Sequence, residues 1–244
     1  MNTKAKKPLF YNQVVPISRE QHAKLRIKPG AGYDYAKDAN AVLLTVMEFP
    51  FASREYPIVF IEDGDTVNPA AVLGLNKYEN QFLNSDGTWD AGYVPAYVRR
   101  YPFITGITGD NGEDLVVCID ESAAVFNTSE GKALFDESGE HTEFLKKSIE
   151  FLQDYQGQVQ HTSKFSSRMK ELGLLAPMRA DFQVKGGAKT SLAGFKVVDR
   201  DKLKALPKNT LVKLLKSDEL ELIYLHLASL GNFKNLASRY AKVA

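Results

Sequence analysis

Only one cysteine, Cys118, occurs among 244 residues. No intrachain disulfide can form, and the usual thiolate metal frameworks are excluded. Cys118 sits in the apolar run Leu115-Val116-Val117-Cys118-Ile119, where it reads as a small buried hydrophobe on a strand. The histidines are equally sparse: His22, His141, His161 and His226 form no H-x-x-x-H pair. The acidic turn Asp110-Asn111-Gly112-Glu113-Asp114 lacks the alternation of an EF-hand. No metal site is expected, and no cofactor is named by any motif. The nucleophile elbow G-x-S-x-G is missing too.

Neither basic nor acidic residues are in appreciable excess: 31 Lys and Arg face 30 Asp and Glu. This balance gives no general attraction to nucleic acid or to anionic membrane. No run approaches the roughly 20 apolar residues of a membrane-spanning helix. Tyr11, Asn12, Gln13 and Pro16 interrupt any apolar stretch behind the positive start of the chain. A cytoplasmic, unprocessed protein without a membrane span is expected.

What is present is an ordinary globular composition, 44% hydrophobic and 25% charged, enough for a real core. Residues 1–40 read as an irregular lead-in, with Ser18 placed to cap one helical turn. Strand-like runs follow at Ala41–Phe49, Tyr56–Ile61, Ala71–Leu75, Tyr78–Leu83, Phe103–Ile107 and around Cys118. The turns Asp63-Gly64-Asp65 and Asn84-Ser85-Asp86-Gly87 separate some of them. From about residue 121 the texture changes. Ser138 or Gly139 is the expected start of a long helix with one apolar face through Phe144, Ile149, Leu152, Tyr155 and Val159. Gly173 and Pro177 are the expected stop.

Two strands, Ala180–Val184 and Gly194–Val198, then flank a glycine loop. Helices over Asp199–Leu206, Lys208–Leu215, Asp218–Leu230 and Phe233–Tyr240 finish the chain, with Asn232 placed to cap the last. The predicted class is α+β: a mostly antiparallel, β-rich N-terminal half and a helix-rich C-terminal half. One unit over residues 1–244 is expected, with a soft division into 1–125 and 126–244.

Four features compete as carriers of chemistry. Gly186-Gly187-Ala188-Lys189-Thr190 resembles the end of a phosphate-binding loop, but Ala188 and Gln183 stand where that pattern needs glycine. A hairpin loop is the expectation there. His226 and Ser229, three apart on one helix, share a face, either as a polar packing pair or as catalytic groups. Gly231-Asn232 between two helices resembles a helix-turn-helix, yet Phe233, Leu236 and Tyr240 make the last helix a docking element and nucleic acid an unexpected partner.

The richest stretch runs from Trp89 to Phe103 and holds the only Trp, three Tyr, one Phe and two adjacent Arg. Aromatic faces beside guanidinium groups hold planar or anionic ligands. Trp89, Tyr97, Arg99, Arg100 and Tyr101 are therefore the candidate ligand-binding residues. On a strand, Arg99 and Arg100 would point to opposite faces, leaving one for a site.

The ordered set Tyr11–Ser18, Glu55–Phe60, Leu73-Gly74-Leu75, Asn80-Gln81-Phe82, Trp89–Phe103, Gly194–Asp199 and Leu225–Leu230 resembles the SapC family of bacteria. The resemblance spans nearly the whole chain. It implies a surface-layer context by name and a permease by frequent label, and the second conflicts with the missing membrane span. It also implies a genomic setting beside flavin-dependent halogenases and outer-membrane receptors, hence an accessory role with a small molecule. It supplies no catalytic residues. The leading expectation is a noncatalytic binding or accessory protein with a small-molecule ligand or a protein partner. An enzyme with a site assembled from distant residues, oxygenase-like or transferase-like, and a protein-interaction scaffold are the alternatives. No oligomeric state follows from the residues.

Overall fold

The computed structural model describes residues 7–28, 30–108, 114–183 and 189–243. The chain enters through strand β1 (Val14–Pro16) and the single helical turn α1 (Arg19–His22). Ser18 caps that turn as expected, its side chain accepting from the Gln21 N–H. After β2 (Arg26–Ile27) comes β3 (Ala41–Leu43), which ends six residues before the predicted strand does. Thr45 caps a 3-10 turn, Val46–Glu48, that runs into helix α2 (Phe49–Ala52). Thr45 N–H donates to the Glu48 carboxylate at 2.8 Å. The T-x-x-E capping box thus overrides the apolar run around it.

β4 (Ile58–Asp63) and β5 (Thr66–Val72) form a hairpin around Gly64 and Asp65. Gly64 has φ +59°, the left-handed value its turn requires. Ile58, Val59 and Phe60 are all buried, which explains a continuous apolar run rather than an alternating one. Tyr78–Leu83, expected as a strand, is irregular, and Leu83 makes only an isolated bridge to Trp89. Tyr97 and Val98 belong to helix α3 (Ala96–Arg99), set off by Pro95 at its N-cap. β6 (Phe103–Thr108) then pairs with β7 (Asp114–Asp120), the strand that carries Cys118.

β8 (Phe126–Asn127) and β9 (Lys132–Ala133) flank β2. The long helix α4 (Glu143–Glu171) begins later than Ser138 or Gly139. Gly139 instead takes φ +85° in a tight turn whose N–H donates to the Asp136 carbonyl. Thr142 is the cap, accepting from Leu145 N–H. β10 (Leu175–Gln183) and β11 (Lys189–Val198) make a second hairpin. Pro177 lies within β10, an edge strand that tolerates a missing N–H. Gly194, with φ +87°, sits at the register shift of this hairpin. The glycines of the phosphate-loop-like motif, Gly186 and Gly187, lie outside the described residues. Helices α5 (Arg200–Lys204), α6 (Lys208–Lys216), α7 (Glu219–Ser229) and α8 (Phe233–Val243) follow.

The strands order as β10-β11-β4-β5-β3 in the largest sheet, β1-β7-β6 in the second and β8-β2-β9 in the third. Every recorded ladder is antiparallel, and helix at 38% with strand at 26% makes the class α+β. α4 joins the two main cores, because 29 residues at ~1.5 Å rise give it a reach of ~43 Å. Its Leu145 and Leu152 pack with Phe103 and Ile119 of the second sheet. Its Tyr155, Phe165 and Met169 pack with Phe49 and Phe60 in the core of the largest sheet. The hairpin β10–β11 also crosses from the helix-rich half to pair with β4.

Candidate functional site

Rings from three separate segments line up along the Trp89–Phe103 block. Tyr33 meets Trp89 edge to face at 5.6 Å, and Tyr35 stacks on Tyr101 at 4.2 Å between centroids. Tyr101 in turn meets Tyr11 at 5.3 Å. Such offset and edge contacts are the favoured aromatic geometries. Two of their polar tips are tied down here: Trp89 Nε1 donates to the Tyr56 hydroxyl at 2.8 Å, and Tyr35 OH donates to the Val98 carbonyl at 2.9 Å. The Tyr33 N–H donates to the Gly87 carbonyl at 2.7 Å, locking the lead-in loop onto the Asn84–Gly87 turn. Gly32 is needed for that approach, since a Cβ there would lie 2.5 Å from the Gly87 oxygen.

Asp120 anchors the far end of this wall. Its carboxylate accepts from the N–H groups of Asn12 and Gln13, from the Ser122 hydroxyl and from Tyr101 OH. Burial pushes its pKa up, but the Ser122 hydroxyl and these N–H groups outweigh that and hold it below the usual carboxylate range. The Tyr101 phenol is pushed up to about 12 by burial, with Asp120 adding to the rise. It stays neutral and acts as a donor.

The two arginines sit on and just after α3, so the strand argument that set them on opposite faces does not apply. Both line one cavity of about 240 Å³, with Phe103, Phe144, Lys147 and Phe151. Arg99 is exposed, and its Nε donates to the Val94 carbonyl at 3.0 Å. Arg100 is partly buried. Its guanidinium lies 4.0 Å from the Tyr97 ring centroid, 5.2 Å from Tyr155 and 5.7 Å from Tyr11. Tyr97, one of the predicted ligand residues, is thus 7% exposed and supports Arg100 from below.

Glu48 fixes α3 in place. Its buried carboxylate accepts from Thr45 N–H and Oγ1, from Tyr93 OH and from the Ala96 N–H at 2.7 Å. With four donors the carboxylate is fully paired despite lying 3% exposed.

A groove of about 980 Å³ passes along this wall and includes Tyr33, Trp89, Arg99, Tyr101 and Phe144 in its lining. A third cavity, of about 250 Å³, lies against Glu48, Tyr93 and Tyr155. Arg99 lines all three, and the groove shares Phe103, Phe144 and Ser148 with the Arg100 cavity. Trp89, Arg99 and Tyr101 of the predicted set therefore meet in the groove, and Arg100 lies in the adjoining cavity. The sequence reading missed Tyr33, Tyr35, Glu48, Phe144 and Phe151. Phe144, Lys147, Ser148 and Phe151 stand at i, i+3, i+4 and i+7 of α4, a signal for one shared face.

His226 and Ser229 lie elsewhere and do different work. Both are fully buried on α7. β11 pairs with β4 only at Lys196 and Phe60, and beyond that point α7 supplies the missing acceptors. Val198 N–H donates to His226 Nε2 at 3.0 Å, and Ile58 N–H donates to Ser229 Oγ at 2.9 Å. Ser229 Oγ donates to the His226 carbonyl rather than to its ring. Burial holds the His226 pKa down at about 4. Cys118 is also buried, and burial pushes its thiol up.

α8 docks through Phe233, which stacks on Phe195 at 5.8 Å, and through Arg239, paired with Asp90 at 2.5 Å. Asn232, predicted as a cap, donates instead to the carbonyls of Ser53 and Tyr56. Among the described residues no helix is long and apolar enough to cross a membrane, and no group of three or more His, Cys, Asp or Glu is placed to hold a metal.

The fold and site thus describe an α+β protein with a cation-bearing aromatic groove. A family model described as SapC matches residues 17–236, and the chain belongs to the SapC family. No curated protein and no solved structure matches it.

Proposed function

We propose that this chain is a noncatalytic binding or accessory protein that holds a partly planar small molecule in the groove along Trp89, Tyr33 and Tyr101. The observation that carries the reading is the meeting of these rings with Arg99 in one groove of about 980 Å³, a size and lining suited to a small organic ligand. The wall is preorganised: its rings are hydrogen-bonded or stacked before any ligand arrives, which lowers the entropic cost of binding. The reading takes the chain as one unit, in keeping with cores built from both halves. Native mass spectrometry of gently purified protein tests it. The expected result is a stoichiometric small-molecule adduct released on denaturation and lost from folded Trp89→Ala and Arg99→Ala variants. A wild-type protein that shows only the bare chain mass overturns it.

A further inference from the structure

Among the described residues neither Arg99 nor Arg100 has a carboxylate partner, and the Arg100 guanidinium, unlike that of Arg99, also makes no hydrogen bond to the protein. Its Nε is sealed from solvent without a partner. Three tyrosine rings surround it, a cradle that keeps the planar group oriented while leaving its in-plane hydrogen-bonding capacity unused. Its neighbours are already engaged. Arg99 donates to Val94, and Lys147 lies 3.4 Å from Glu143.

Resting on the groove reading above, we infer that the ligand is a planar aromatic carboxylate, with its ring against Trp89 and Tyr33 and its carboxylate on Arg100. The cavity at Arg100 is small, about 240 Å³, and walled by Phe103, Phe144 and Phe151. It suits a compact head group joined to an apolar body. The groove opens from it across the shared residues Phe103, Phe144 and Ser148, so one elongated molecule spans both. A single free guanidinium fork matches the two oxygens of a carboxylate in a bidentate pair. The small ring-walled cavity favours those two coplanar oxygens over a bulkier tetrahedral phosphate. The sealed Nε makes this a partly desolvated, unpaired cation, and a carboxylate on its open side offsets that cost.

Isothermal titration calorimetry with three probes tests the assignment: 2-naphthoate, its neutral analogue 2-naphthalenemethanol, and 2-naphthyl phosphate. The expected result is that 2-naphthoate binds the wild-type protein at least tenfold more tightly than either of the others. Arg100→Gln erases the advantage over the alcohol, and Arg100→Lys, which keeps the charge but loses the fork, restores only part of it. Equal affinity for 2-naphthoate and the alcohol in the wild type overturns the carboxylate seat while leaving the groove standing. Tighter binding of the phosphate overturns the choice of carboxylate. Failure of all three probes to bind counts against the groove reading itself. The wild-type comparison needs no variant, so a misfolded Arg100→Gln does not rescue the assignment.

Discussion

Protonation of His226 should loosen the largest sheet in a pH window set by one side chain. The ring is fully buried, its Nε2 accepts from Val198 N–H, and its pKa falls from 6.5 to about 4 in the folded chain. As pH drops through 6.5, the unfolded chain takes up a proton on this histidine that the folded chain refuses until about pH 4. Stability from this group is therefore complete above pH 6.5 and is lost progressively as pH falls toward 4. At pH 5 the loss relative to neutral pH is ~2 kcal/mol, from the ratio of proton binding in the two states. Urea unfolding at fixed temperature between pH 7.5 and 5 measures it. His226→Gln keeps an acceptor for Val198 N–H but cannot titrate, so its stability should fall by ~2 kcal/mol less than the wild type over that range. Equal pH slopes for the two proteins would refute the reasoning, because the buried neutral imidazole would then contribute nothing.

Two further perturbations test how the frame holds the groove. Glu48→Gln places an NH2 among four donors, and thermal or urea unfolding should show a loss of ~1–3 kcal/mol. Because Glu48 holds the Ala96 N–H, the same variant should also weaken 2-naphthoate binding. Phe165→Ala empties a position 1% exposed that touches Phe49 and Phe60, and it should cost ~3–5 kcal/mol in urea unfolding.

Local chemistry made much of this fold legible. The turn at Gly64, the cap at Ser18 and, apart from the exposed Val159, the apolar face of α4 are written within a few residues of where they act. Where signals competed, the shorter one was lost. Thr45 and Glu48 form a capping box inside an apolar run that also reads as strand, and α3 is a four-residue helix inside an aromatic stretch. Short apolar runs do not distinguish the two periods. Misreading α3 also misplaced Arg99 and Arg100, which share a cavity because they sit at a helix end. The pairing of β11 with β4, and the filling of its gap by His226 and Ser229, bring together residues far apart in the chain. No spacing rule announces such contacts. Tyr33 and Tyr35 escaped notice for a related reason: their segment has no periodicity, and only packing against Trp89 and Tyr101 gives them a role.

Trp89 is the only tryptophan, so the chain gives a single indole N–H resonance, and that group lies on the groove wall with a known partner in Tyr56. Titration of isotope-labelled protein with 2-naphthoate, followed by proton–nitrogen correlation spectra, reads the central claim at one atom. The account predicts that the Trp89 indole signal and the Arg99 side-chain Nε signal move together and saturate with one equivalent bound. A stationary Trp89 signal, with saturable shifts confined to α5, α6 and α7, would place the ligand elsewhere and contradict it.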